Sequence, residues 1–221
     1  ETEAAVIARK MLRIRRSYAA LLETSRVYAL TTGGIYAPNG TVVGNMYTEF
    51  SVTRKEVDFV LGTSTTELTA KIEEAIAHSQ DQIMSGESLT GFIALCSPQF
   101  FAKLIAHATV KEAYKYYAST QSPLRERLGT GVERTFVHGG VTFIEYRGTN
   151  PAGAQYITSG DAVLLPTGTS DTFKTYFGPG NKFEYINTIG EEVYMNVYRD
   201  MKGSEITIET ESNMLSMIRR P

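Results

Sequence analysis

Helical and strand patterns both run through this 221-residue chain without settling into a regular βαβ repeat, so the sequence predicts an α+β fold. Two observations carry that prediction. A long unbroken helical stripe opens the chain, and its last third reads as one strand after another. With 42% hydrophobic and 21% charged residues, the composition is that of an ordinary folded protein rather than a disordered or coiled-coil one.

Residues 1 to 28 read as a single helix. Ile7, Met11, Ile14, Tyr18, Leu21 and Ser25 recur at helical spacing, with a polar break at Ser25. At 1.5 Å per residue the rod is about 42 Å long. From Val27 the pattern turns to strands. Thr32-Gly33-Gly34 and Pro38-Asn39-Gly40 are turn chemistry bracketing a hairpin, and Tyr47, Phe50, Val52, Val57, Phe59 and Leu61 read as short strands beyond it. Ser64-Thr-Thr-Glu67 is a capping box opening a second helix with Leu68, Ile72, Ala75, Ile76 and Ile83 inward, ended by Ser85-Gly86.

Gly91 to Cys96 is a continuous apolar run of strand length, expected to be buried on both faces. Ser97-Pro98 is an N-cap followed by a first-turn proline, starting a third helix with Phe101, Leu104, Ile105 and Ala108 inward. A second capping box, Thr109 to Glu112, opens a fourth helix with Val110, Ala113, Tyr114 and Tyr117 inward. After a polar, basic stretch, residues 134–138 and 141–146 flank Gly139-Gly140 as a hairpin. Strands follow at 162–165, 172–177, 193–199 and 204–210, and a short apolar stretch at 214–218 closes the chain. Glu1 enters a helical pattern at once and Pro221 follows an apolar segment directly, so both ends are expected to continue in a longer chain.

Candidate chemistry is sparse. The 22 basic and 24 acidic residues give a net charge of -2, which disfavours a general affinity for nucleic acid. A single Cys and three His exclude a disulfide framework and a thiolate-rich metal site, and point to a reducing compartment. No apolar run approaches the ~20 residues that cross a bilayer. Gly129-x-Gly131 is followed by Arg134 where a dinucleotide fingerprint needs glycine, and it precedes a strand. His78, His107 and His138 share no ligand spacing, and the pairs Glu73-Glu74 and Glu191-Glu192 point apart on their elements. Cys96 has two readings. It is a small buried hydrophobe, or a thiol activated by the helix that starts beside it. The residues therefore specify no catalytic group, no metal site and no cofactor.

Two surfaces stand out instead. Arg9, Arg13 and Arg16 form a basic stripe beside Lys10 and Arg15, readable as a solvated or partner-paired helix face or as a phosphate contact. Tyr114, Tyr116 and Tyr117 cluster with Lys111 and Lys115 on one short helix. That is the aromatic and basic mixture of protein interfaces, and three near-consecutive tyrosines cannot all point into one core.

The order of segments in the second half resembles a known family. Ser159 to Gly168, Phe173 to Pro179, Tyr185 to Gly190, Val193 to Tyr198 and Gly203 to Leu215, running on to Pro221, are similar to the C-terminal part of the lambda-type major capsid proteins of tailed phages, the major capsid protein E family. Phe92 to Phe101 and Val110 to Tyr116 resemble its strand, its Pro-started helix and its short basic-aromatic helix. The opening helix resembles the family's spine helix.

The resemblance implies a Hong Kong 97-type capsid fold. Residues 1–62 would form the spine helix and peripheral strands, 63–200 an axial domain, and 201–221 the closing peripheral strands. It implies a structural subunit of a phage or prophage icosahedral capsid, not an enzyme. Its partners would be copies of itself in pentameric and hexameric capsomers, packaged DNA held without sequence reading, and a decoration or scaffolding protein, with no membrane. It would assemble in the bacterial host cytoplasm and reside in the virion. The axial tip, with Tyr114, Lys115, Tyr116, Arg125 and Arg127, would meet neighbouring subunits. The alternatives are a related encapsulin-like compartment shell, an α+β enzyme using Cys96, and a DNA binder using Arg9, Arg13 and Arg16.

Overall fold

The computed structural model describes residues 2–37, 39–83, 87–120, 134–150, 153–203 and 205–219, leaving aside the side chains of residues 3 and 116–120. The chain forms two compact units. The first joins Glu1–Val52 to Phe173–Arg219, and the second is the continuous stretch Thr53–Thr172. These limits differ from the expected divisions after 62 and after 200. Strand pairing sets the later one, because the strand beginning at Phe173 pairs with the closing strand of the chain.

In the first unit, α1 spans Glu3–Thr32 and ends on Gly33, whose φ of 66° lets its N–H turn back to the Ala29 carbonyl. β1 (Gly34–Tyr36) and β2 (Val42–Asn45) then form the expected antiparallel hairpin. The residues of the α1 stripe, from Ile7 through Tyr18 to Ser25, are half-buried. The polar break has a purpose. Ser25 donates its hydroxyl at 3.0 Å to Ser216, which is buried in β10 (Met214–Ile218). β10 pairs antiparallel with β7 (Phe173–Phe177), while β8 (Tyr194–Arg199) and β9 (Ile206–Glu211) make a separate antiparallel ribbon. Ala29, Met46 and Ile218 form a small core.

Residues 46–61 depart from the expected strands. The Asn45 side chain accepts the Tyr47 N–H at 2.9 Å, which caps a one-turn helix, α2 (Met46–Glu49). In the second unit Val57, Phe59 and Leu61 keep the expected alternation, each half-buried, but no strand pairs with them among the described residues. Phe59 packs on Phe100 at 5.6 Å between ring centroids. The alternation therefore marks burial rather than a ladder.

The second unit holds α3 (Leu68–Gln82), β3 (Gly91–Cys96), α4 (Pro98–Ala106), α5 (Ala108–Thr120), β4 (Thr135–His138), β5 (Val141–Glu145) and β6 (Ala162–Thr167). Its sheet has the order β4-β5-β3-β6, with β3 parallel to β5 and antiparallel to β6. Gly139 and Gly140, at φ 57° and 78°, make the two-residue turn between β4 and β5. Every second residue of β3 and β5 enters the core, so Phe92, Ala94 and Cys96 stand beside Val141, Phe143 and Glu145. Leu68, Ile72, Phe101, Leu104 and Val110 cover them from the helices. The alternate residues of β3 are only half-buried, so the strand is not buried on both faces as expected.

Neither capping box forms as predicted. Glu67, not Ser64, is the N-cap of α3 and makes no side-chain bond there. At the next junction α4 stops at Ala106, which leaves Ala108 exposed rather than inward, and His107 separates it from α5. One His107 ring nitrogen lies 2.9 Å from the Thr109 hydroxyl and the other 2.8 Å from the Thr63 carbonyl. The Ser97 cap is as expected, accepting the Phe100 N–H at 3.3 Å. The expected stop of α3 at Ser85-Gly86 and the Gly129-x-Gly131 segment lie outside the described residues.

Candidate functional site

Cys96 closes β3 on its buried face, fully shielded, with its sulfur 3.5 Å from the Ala94 carbonyl oxygen. Burial pushes its thiol up to about 12. An activated nucleophile needs the reverse, so the structure favours the buried structural reading of Cys96. The neighbouring helix start is already occupied by the Ser97 hydroxyl, which also accepts the Gly160 N–H at 3.0 Å.

The three histidines remain apart in role. His107 is a buried junction residue, and His78 is exposed. His138 stacks on Phe136 at 5.6 Å, and burial lowers its pKa. Among the described residues no group of three or more His, Cys, Asp or Glu could hold a metal ion. Glu74 is an ion-pair partner of Lys55 at 3.1 Å and Lys71 at 3.6 Å, rather than half of an acid pair with Glu73.

The sequence reading passed over Glu145. Its carboxylate lies on the buried face of β5, 1% exposed, between Arg134 at 2.5 Å and Arg147 at 2.6 Å. The Arg134 hydrogen bond, with Arg147 adding to it, holds its pKa below the usual carboxylate value. The signal was present, because Val141, Phe143 and Glu145 share one period-2 face and arginines flank both ends of the hairpin. This is a buried ion triad at the end of a core, with both arginines also facing water.

The residues expected to meet neighbours fare unevenly. Tyr114 is half-buried and meets Phe136 edge-on, 5.2 Å between centroids, so its ring packs against its own unit's core. Lys115 is exposed. The Tyr116 side chain, Arg125 and Arg127 lie outside the described residues.

The exposed apolar surface falls elsewhere. Among the described residues, the large apolar side chains that stay exposed belong to the first unit, Val60 and Val137 excepted. They concentrate in residues 179–201. There Phe183 and Ile189 are each 93% exposed, and Ile186, Met195, Val197 and Met201 accompany them. The loop carrying Phe183 is tied down at many points. Asn181 donates its N–H to the Glu211 carboxylate at 3.1 Å, and the Tyr185 hydroxyl donates to Asn196 at 3.0 Å. Lys182 pairs with Glu209 and bonds Tyr198, and the Tyr185 ring packs on Tyr194 at 4.4 Å. Ordered backbone that displays apolar side chains is the mark of a contact surface.

The comparison with known proteins agrees with a surface of that kind. The family profile "Phage major capsid protein E" matches residues 1–221. The chain is 46% identical to the major capsid protein of Pseudomonas phage KPP10, and 28% identical to that of Salmonella phage Felix O1 (isolate Felix O1-VT1). Both alignments take in 100% of this chain and 67% of the relative. The chain belongs to the phage major capsid protein E family. It is a structural capsid subunit, and such a protein acts through contacts between copies. Among the described residues of this capsid subunit, the exposed large apolar side chains lie chiefly on the first unit.

Proposed function

We propose that this capsid subunit takes the Hong Kong 97-type fold and assembles into pentameric and hexameric capsomers that enclose phage or prophage DNA without reading its sequence. The first unit then serves as the peripheral domain on the spine helix, and the second as the axial domain. The observation that carries this reading is the return of the chain end to the opening helix. A 30-residue helix at the start of the chain is joined to strands near its end, through Ser25 with Ser216 and Tyr18 with Thr210, while a continuous second unit is inserted in the sequence between them. The net charge of -2 suits the role, since it neither repels copies strongly nor binds the packaged genome tightly.

The subunit performs no chemistry in this reading. It assembles in the host cytoplasm, ends in the virion, and takes a decoration or scaffolding protein as a further partner. Tyr114 to Arg127 is proposed as the axial tip, with Lys115 as its exposed described residue. Sedimentation velocity with negative-stain imaging of the full-length protein tests the proposal. Rings or closed shells are expected. A small monodisperse species at every salt and protein concentration tried would count against it.

A further inference from the structure

We propose that the loop of residues 179–192 on one copy docks on the N-terminal half of α1 in a neighbouring copy. The inference rests on the capsid reading and names the contact through which adjacent copies hold each other. Phe183, Ile186 and Ile189 project from backbone that is already fixed by its bonds to the β8–β9 ribbon, so docking costs little further ordering. Exposure of 93% at Phe183 and Ile189 means that the described residues do not cover them. In a shell, identical neighbouring copies supply that cover.

The seat is complementary in apolar character and in charge. Among the described residues of α1, none before Val27 is fully buried. Its first half therefore offers a half-covered apolar stripe, Ile7, Met11 and Ile14, with Leu12 53% exposed beside it. Lys10, Arg13, Arg15 and Arg16 surround that stripe, all exposed. The loop carries the opposite sign, with exposed Glu184, Glu191 and Glu192 around its apolar tip. Loop and helix are different surfaces of one chain, so the contact runs head to tail and can close a ring. Opposite charges at its rim fix the register and speed encounter.

Charge reversal in the full-length protein tests it. One variant carries Glu184→Lys, Glu191→Lys and Glu192→Lys, and the other Arg13→Glu, Arg15→Glu and Arg16→Glu. All six sites are exposed, so each variant is expected to keep the wild-type melting temperature. Like charges then face each other in either variant alone, and the assembled fraction by sedimentation velocity is expected to fall by about tenfold or more. Mixed in equal amounts, the basic loop of one variant meets the acidic helix of the other, and the unaltered acidic loop meets the unaltered basic helix. Assembly is expected to recover in the mixture. Wild-type assembly by either variant alone, or a mixture no better than its components, would overturn the contact while leaving the capsid reading intact. Failure of the unmodified protein to assemble would overturn that reading, and this contact with it.

Discussion

Glu145 shows how one residue joins two sorts of physics. Its stem completes the buried row of β5 behind Val141 and Phe143, and its carboxylate meets Arg134 and Arg147 at the end of that row. Because the folded pKa is lowered from 4.5, the stabilisation is present above that value and is lost as pH falls through the lower folded value. Replacing both arginines (Arg134→Met with Arg147→Met) strands a buried carboxylate and is expected to cost about 3 kcal/mol at neutral pH. The pH dependence then reverses, because the stranded group has a raised pKa and acid relieves it. Urea midpoints at pH 7 and pH 5 check both points, and an unchanged pH slope in the double variant would refute the triad's role. Cys96 stands beside Glu145 in the register and illustrates the opposite fate. Burial raises its thiol pKa more than the Ile144 backbone hydrogen bond lowers it, the reverse of what activation needs.

At the scale of elements, the junctions decide which sequence signals are realised. Ser97 works twice, capping α4 through the Phe100 N–H and holding the Gly160 N–H from the segment before β6. Ser97→Ala removes a cap and leaves a second donor without its acceptor, so a loss of about 2–3 kcal/mol is expected. Glu67→Ala, at a cap position without a side-chain bond, is expected to change stability by less than about 0.5 kcal/mol. Chemical denaturation of the two variants gives the contrast, and equal midpoints would remove the distinction. The second predicted capping box gives way to His107, which takes the Thr109 hydroxyl that the box would have used and reaches across to the Thr63 carbonyl. The segment through Phe59 and Leu61 spends its alternation on packing rather than pairing. By contrast the Gly139-Gly140 hairpin, the Ser97-Pro98 helix start and the β8–β9 ribbon were legible, because each rests on residues close in sequence.

For the whole molecule, the two units differ in how much they bury. The second has an extended core from Leu68 to Phe143 under a four-stranded sheet, whereas the first has Ala29, Met46 and Ile218 with a few half-buried neighbours. The Thr53–Thr172 segment is therefore expected to fold cooperatively by itself, with a sharp thermal transition by near-ultraviolet circular dichroism. A broad, non-cooperative melt would refute that. The first unit leaves large apolar side chains exposed, and in the proposed contact the loop and helix surfaces of neighbouring copies cover them.

The sequence by itself determined the α+β class, the opening helix, most strands, and the resemblance that the family match bears out. These follow from periodicity, turn residues and segment order, all of which act over short stretches of chain. Only the tertiary structure decided where the units divide, since that depends on Phe173–Phe177 pairing with Met214–Ile218. It also turned Tyr114 onto the core, closed the arginines on Glu145, and moved the exposed apolar surface to residues 179–201. Each of these is set by partners distant in sequence or by what no partner covers, and neither is written in local pattern.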